Sequence, residues 1–159
     1  MQFTAAVLTI SDRSAAGERP DTSGPAVVAA LEQAGFRIIA ADVVPDERTR
    51  IEASLIQLSE TVNLIVTSGG TGIAPRDVTP EATRAVADKV VEGMAERMRA
   101  EGSKKTPLAA LSRGVCAIRK NALIVNVPGS PKAAVESLEA VLPLLPHALE
   151  LLAGNTDHK

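Results

Sequence analysis

An alternation limits the possible folds of this chain more than any other feature: short apolar runs of strand length, each closed by turn-forming residues, are separated by stretches in which apolar residues recur at helical spacing. Residues 4–10 form the first run, nearly continuous in apolar character, as suits a strand buried on both faces. Val27, Val28, Leu31 and Ala34 then mark one helical face over residues 25–34, and Gly35 stands where helices commonly stop. A second strand is predicted over 36–44, a helix from Ile51, Leu55, Leu58 and Val62, and a third strand over 63–67. Thr79 before Pro80 reads as an N-cap followed by proline at the first helical position. Residues 93–112 resist assignment, because Met94, Met98 and Leu108 suit helical segments that Gly102 and Pro107 interrupt. Apolar runs at 114–119 and 122–127, parted by Lys120 and Asn121, predict an antiparallel hairpin. Ser130 caps a last helix whose leucines continue to Leu152, with Pro143 and Pro146 bending or splitting it before a polar tail at 155–159. The order predicts an α/β fold with a mostly parallel sheet and one antiparallel hairpin, in a single domain over residues 1–159.

Composition removes whole classes of function. A net charge of -2 with no long block of either sign argues against a coat for nucleic acid. No run reaches the roughly 18 apolar residues of a membrane helix, and the amino terminus lacks the pattern of a secretory signal, so no membrane partner is expected and the cytoplasm is the expected location. One cysteine, Cys116, with only His147 and His158, supplies neither an internal disulfide nor an ordinary zinc site. Cys116 lies in an apolar run, which points to core packing. With no Trp or Tyr and only Phe3 and Phe36, stacking on a flavin or on unpaired bases has little material, which weighs against a flavodoxin-like electron carrier.

In open parallel sheets, ligands bind beyond the carboxyl ends of the strands. Four special loops follow predicted strands: Ser11 and Asp12; Pro45 and Asp46; Ser68, Gly69, Gly70, Thr71 and Gly72; Pro128, Gly129 and Ser130. All four can share one rim. The glycine-rich loop offers main-chain amides without bulky side chains, which suits phosphate, although a tight turn would also need glycine. It is neither a Walker loop nor a dinucleotide fingerprint, since the lysine of the first and the third glycine of the second are missing. Asp46 and Asp77 are hard oxygen ligands in two of these loops, fit for Mg²⁺ bound mostly through phosphate and water, or, more plainly, aspartates near helix starts. Arg13, Arg76, Arg113, Arg119 and Lys120 are possible anion ligands or simply solvated surface.

At residues 67–83, TSGGTGIAPRDVTPEAT, the chain closely resembles the molybdenum-cofactor biosynthesis family, which includes molybdopterin adenylyltransferases and the G domains of gephyrin-like proteins. The resemblance continues through LTISDR at 8–13, DTSG at 21–24, PDE at 45–47, TPLAALSR at 106–113 and NVPGSPKA at 126–133. It implies a three-layer α/β/α sandwich, usually a homotrimer, that binds ATP and molybdopterin and transfers AMP to the pterin's terminal phosphate, releasing pyrophosphate. The family's two essential aspartates fall on Asp46 and Asp77, with Mg²⁺ between them as the implied cofactor. A substrate-contacting serine falls on Ser112; Ser68 to Gly72 and Pro128 to Ser130 match segments around the nucleotide, with Ser11 and Asp12 at the same rim as substrate-binding positions. No fused molybdate-insertion domain is expected, so insertion falls to a separate downstream protein. Lys120 and Asn121 replace a glycine-containing turn of many relatives. A non-catalytic molybdopterin-binding or scaffold role stays open beside the catalytic one.

Overall fold

A computed structural model describes residues 2–156. His158 and the end of the polar tail lie outside the described residues. Six strands form one sheet in the order β2-β1-β3-β6-β5-β4, where β1 is Thr4–Ile10, β2 Arg37–Val44, β3 Leu64–Ser68, β4 Lys89–Val90, β5 Cys116–Arg119 and β6 Ala122–Val127. β1 pairs in parallel with β2 and with β3, and β3 in parallel with β6. β5 runs antiparallel to β6 and to the two-residue edge strand β4.

The near-continuous apolar runs are what a sheet covered on both faces requires, and the pleat sorts them. Ala5, Val7, Leu64, Val66, Leu123 and Val125 face one layer of helices, α2 (Ser23–Gln33), α5 (Glu92–Ser103), α6 (Pro131–Val141) and α7 (Leu145–Leu152). Ala6, Leu8, Ile10, Ile65 and Ile124 face the other, α3 (Arg48–Ser59) and α4 (Thr79–Val86). Val27 and Leu31 of α2, and Ile51 and Leu55 of α3, are fully buried and mark the inner faces as the spacing predicts, whereas Val28 is only partly buried and Ala34, at the C-cap of α2, is exposed. The three layers match the expected sandwich.

Several local readings change. Residues 11–24, a polar stretch expected to be loop, contain one helical turn, α1 (Asp12–Ala15), capped by Ser11, whose Oγ accepts the Ser14 amide at 3.2 Å, and α2 already begins at Ser23. Residues 93–112 resolve into α5, which runs through Gly102 to Ser103 without the expected interruption there, and a 3₁₀ turn, Pro107–Leu111, that opens on Pro107. Pro143 lies in a 3₁₀ turn, Leu142–Leu144, that splits the last helix into α6 and α7. Ser130 caps α6 as expected, accepting from the Ala133 amide at 3.3 Å. Thr79 is not the cap of α4: Val78 holds that place, and Thr79 begins the helix with its hydroxyl turned back into the preceding loop. In the hairpin turn Lys120 adopts φ 52°, the left-handed region that glycine occupies without strain. Its amide donates to Asp88 at 2.7 Å, and its ammonium pairs with Glu60.

Candidate active site

Because β1, β2, β3 and β6 are parallel, their carboxyl ends open on one side, and the four special loops do form one rim. Two cavities lie there. One, about 460 Å³, is lined in part by Ser11, Asp46, Ser68 and Gly69; the other, about 840 Å³, by Thr71, Gly72, Ser112, Asn126 and Pro128 among others. Gly70, Asp77, Gly129 and Ser130 line both, so the two volumes adjoin along a wall that carries one of the aspartates. Asp12 lines neither.

Glycine is required in the loop for reasons of space as well as φ. Gly69 and Gly70 adopt φ 107° and 67°. A Cβ on Gly69 would lie 2.2 Å from the Ile10 carbonyl oxygen, and one on Gly70 2.3 Å from Thr79 Oγ1 and 3.1 Å from Asp46 Oδ1. One on Gly72 would stand 2.9 Å from Asp77 Oδ2. Bare main chain therefore abuts both carboxylates. Thr79 holds the turn from below, its Oγ1 donating to the Gly69 carbonyl at 2.9 Å and its amide to that of Gly70 at 3.1 Å. Ser68, fully buried, donates to the Pro128 carbonyl at 2.8 Å and joins the two glycine-bearing turns. Among the described residues the amides of Gly70, Thr71, Gly72 and Gly129 have no protein acceptor. Together they form a ready set of donors for an anion.

Asp46 and Asp12 exchange hydrogen bonds. Asp46 Oδ2 accepts the Asp12 amide at 2.9 Å, and Asp12 Oδ1 accepts the Asp46 amide at 3.0 Å. Arg76, next to Asp77, donates to both oxygens of Asp12 at 3.0 and 2.8 Å, tying a third loop to the first two. Asp77 Oδ2 accepts the Ala74 amide at 3.0 Å. Oδ1 of Asp46 and Oδ1 of Asp77 take no protein donor among the described residues. Burial pushes the Asp46 carboxyl up, with repulsion from Asp12 and Asp77 in the same direction and the Asp12 amide opposing. The Arg76 guanidinium holds Asp12 below the usual carboxylate range.

A cation fits this donor set. Two aspartates that repel one another each keep an oxygen without a partner, and no third Asp, Glu, His or Cys joins them among the described residues to complete a metal cage. Such a site suits an ion that takes most of its ligands from phosphate and water, which is the habit of Mg²⁺.

Several residues around the site escape sequence reasoning. Asp21, in DTSG, accepts from Thr9 Oγ1 at 2.8 Å and from the Gly24 amide at 3.0 Å, and so fixes the loop beside Ser23 and Ser68. Asn126, 1% exposed, accepts the Val115 amide and donates to Thr67 and Thr83, joining β6 to β3, to α4 and to the residue that precedes β5, at the wall of the larger cavity. Asn126 opens the NVPGSPKA motif, but the role of its side chain is signalled only by a lone amide in an apolar strand. Ser112 lines the larger cavity while its Oγ accepts the Gly114 amide at 3.3 Å. Of the basic residues, Arg76 binds Asp12, Arg119 donates to the Val86 carbonyl, Lys120 pairs with Glu60, and Arg113 grips the glycine loop itself. Cys116 is buried, and burial pushes its thiol up to about 12, which leaves it inert.

Residues 6–147 match the family described as a probable molybdopterin binding domain. The molybdopterin adenylyltransferase of Helicobacter pylori strain J99 is 43% identical over 153 residues, covering 94% of this chain and 87% of its own. The crystal structure of the molybdopterin biosynthesis enzyme MoaB from Thermus thermophilus superposes with a TM-score of 0.91 at 52% identity, covering 96% of this chain and 98% of its own. That of the tungsten cofactor synthesizing protein MoaB from Pyrococcus furiosus superposes with a TM-score of 0.87 at 29% identity, covering 95% and 97%.

Proposed function

This chain belongs to the probable molybdopterin-binding family of cofactor biosynthesis, and from that premise we propose that it is a molybdopterin adenylyltransferase that uses ATP. The observation that carries this reading is the meeting of Asp46 and Asp77, each with a free carboxylate oxygen, on a rim of bare main chain between two adjoining cavities. Two polyanionic substrates need two volumes that touch, donors for phosphate where they touch, and acidic ligands for a counter-cation.

The reaction forms a bond between an oxygen of the pterin's terminal phosphate and the α-phosphorus of ATP. The bond from that phosphorus to the bridging oxygen breaks, and pyrophosphate leaves. A phosphate monoester, with a second pKa of about 6, is largely ionised at neutral pH, so its oxygen attacks without a protein base. The task left to the protein is alignment and charge. In this reading the amides of Gly70, Thr71, Gly72 and Gly129 hold phosphate oxygens, Ser11, Ser68, Gly69 and Ser130 shape the nucleotide side, Pro128 stands on the larger-cavity side of the shared wall, and Ser112 contacts the pterin substrate in that larger cavity. Asp12 orients Asp46 by their paired hydrogen bonds. Asp46 and Asp77 would hold Mg²⁺, which when bound supplies positive charge against two polyanions and against the charge growing on pyrophosphate. The enzyme works in the cytoplasm as a homotrimer and hands its product to a separate insertion protein; the exposed Leu144 and Leu151 near the carboxyl end offer apolar surface for subunit contact.

Incubation with molybdopterin and ATP labelled at the α-phosphate, with and without Mg²⁺, tests this. Labelled pterin nucleotide and equimolar pyrophosphate should appear only with the ion, and Asp77→Asn should keep its fold while losing on the order of a hundredfold in rate. Tight pterin binding with no pyrophosphate would identify a binding protein instead.

A further inference from the structure

Arg113 lines neither candidate substrate volume, yet its donors converge on the loop that carries Asp77. Its Nε donates to the Gly72 carbonyl at 2.7 Å and its Nη2 to the Asp77 carbonyl at 2.8 Å, while its own amide donates to the Thr71 carbonyl at 2.8 Å. Glu81, in the first turn of α4, accepts from Nη1 and Nη2 at 2.8 to 3.1 Å. The ion pair with Glu81 is half-exposed, at 39% and 40%, and such pairs add little to stability. More telling is the use of both edges of one planar group: Glu81 takes one edge and the loop carbonyls the other, which no lysine ammonium can reproduce. The residue before it, Ser112, lines the larger cavity, and Asp77 lines both.

We propose that Arg113 is a positioning residue for adenylyl transfer: it ties the carbonyls of Thr71, Gly72 and Asp77 to the segment bearing Ser112, with Glu81 setting the plane of the guanidinium, and thereby fixes the Asp77 carboxylate relative to the pterin-side serine. The role rests on the transferase reading above. Removing the clamp deletes no group that touches a substrate but lets the loop that carries several of them drift. Errors of about 1 Å in alignment cost on the order of a hundredfold in rate. The loss should therefore fall on kcat and not on binding.

Arg113→Ala, Arg113→Lys and Glu81→Gln in the full chain test this by two independent readouts. In the transfer assay Arg113→Ala should lose about a hundredfold in kcat, with KM for ATP and for molybdopterin within about threefold of the parent. Arg113→Lys should do little better, Glu81→Gln should lose less, and added ethylguanidinium should restore part of the rate of the alanine variant only. In hydrogen exchange without substrates, peptides covering residues 70–79 should exchange at least about tenfold faster in Arg113→Ala while peptides of β6 keep the parent rate. The exchange readout does not depend on turnover, so a parent protein that fails to transfer AMP would sink the transferase reading and leave the clamp to be judged by exchange alone. Unchanged exchange over 70–79, or a kcat within about threefold of the parent, would overturn the proposal. So would faster exchange across the whole sheet, which would mark Arg113 as a general stabiliser.

Discussion

Asp46 is partly buried beside two other carboxylates, and its ionised form is disfavoured by burial first and by Asp12 and Asp77 next, against the amide bond from Asp12 and the nearby Arg76 charge. Its folded-state pKa therefore lies above the ordinary value of about 3.9. The folded protein binds that proton more tightly than the unfolded chain, so the contribution to stability is fully present below the ordinary value and is lost as pH rises through the raised folded value. Asp46→Asn removes the ionisation yet keeps an amide oxygen to accept from the Asp12 amide. It should melt a few degrees above the parent at neutral pH, with the gap closing below about pH 4, while AMP transfer drops by on the order of a hundredfold. Melting curves across that range, read beside activity, check both halves. A variant that melts below the parent at neutral pH would mean that the carboxylate is well compensated by the fold, contrary to its surroundings.

The glycine loop and α4 behave as one element, joined by Thr79, whose side chain is fully buried. Its hydroxyl serves the Gly69 carbonyl at 2.9 Å, across the turn whose left-handed glycines set the position of both aspartates. Thr79→Val keeps the shape and leaves that carbonyl without its donor, so urea unfolding should show a loss of about 1–3 kcal/mol, and Thr79→Ser should recover most of it. A loss near zero would show that water replaces the hydroxyl. Sequence reasoning takes this threonine for an N-cap, since threonine before proline is the usual signature and nothing local shows a hydroxyl turning backward to a carbonyl ten residues earlier. The strands are easier: in β1, β3 and β6 the apolar residues run nearly without a break because both faces are covered, and that pattern is local. The turn α1 and the edge strand β4 are not visible in this way, because one is held by Asp46 across 34 residues and the other by β5.

At the scale of the whole molecule, the candidate site is assembled from segments more than a hundred residues apart, from Ser11 to Ser130, which the parallel order of β2, β1, β3 and β6 brings to one rim. That convergence is legible once a mainly parallel sheet is expected, since strand ends then share a side. The roles of Arg113 and Asp21 are not, because their partners are largely loop main chain and a buried hydroxyl, which no sequence pattern records. A site built this way exists only in the folded chain, so a ligand that binds it should stabilise the fold as a unit. At a hundred times its Kd such a ligand contributes about 2.7 kcal/mol, and at this chain length each kcal/mol moves Tm by about 2–4 °C. With an ATP analogue carrying a non-cleavable α,β-methylene bridge, Mg²⁺, and protein held at one concentration, Tm should rise by roughly 5–10 °C. Chelation by EDTA should remove more than half of that rise, and Asp46→Asn should blunt it in the same way, if, as proposed, Asp46 and Asp77 hold a cation that would offset their charge against a polyanion. A rise that survives chelation undiminished would place the nucleotide on the loop amides alone and take the metal-holding role away from the aspartates.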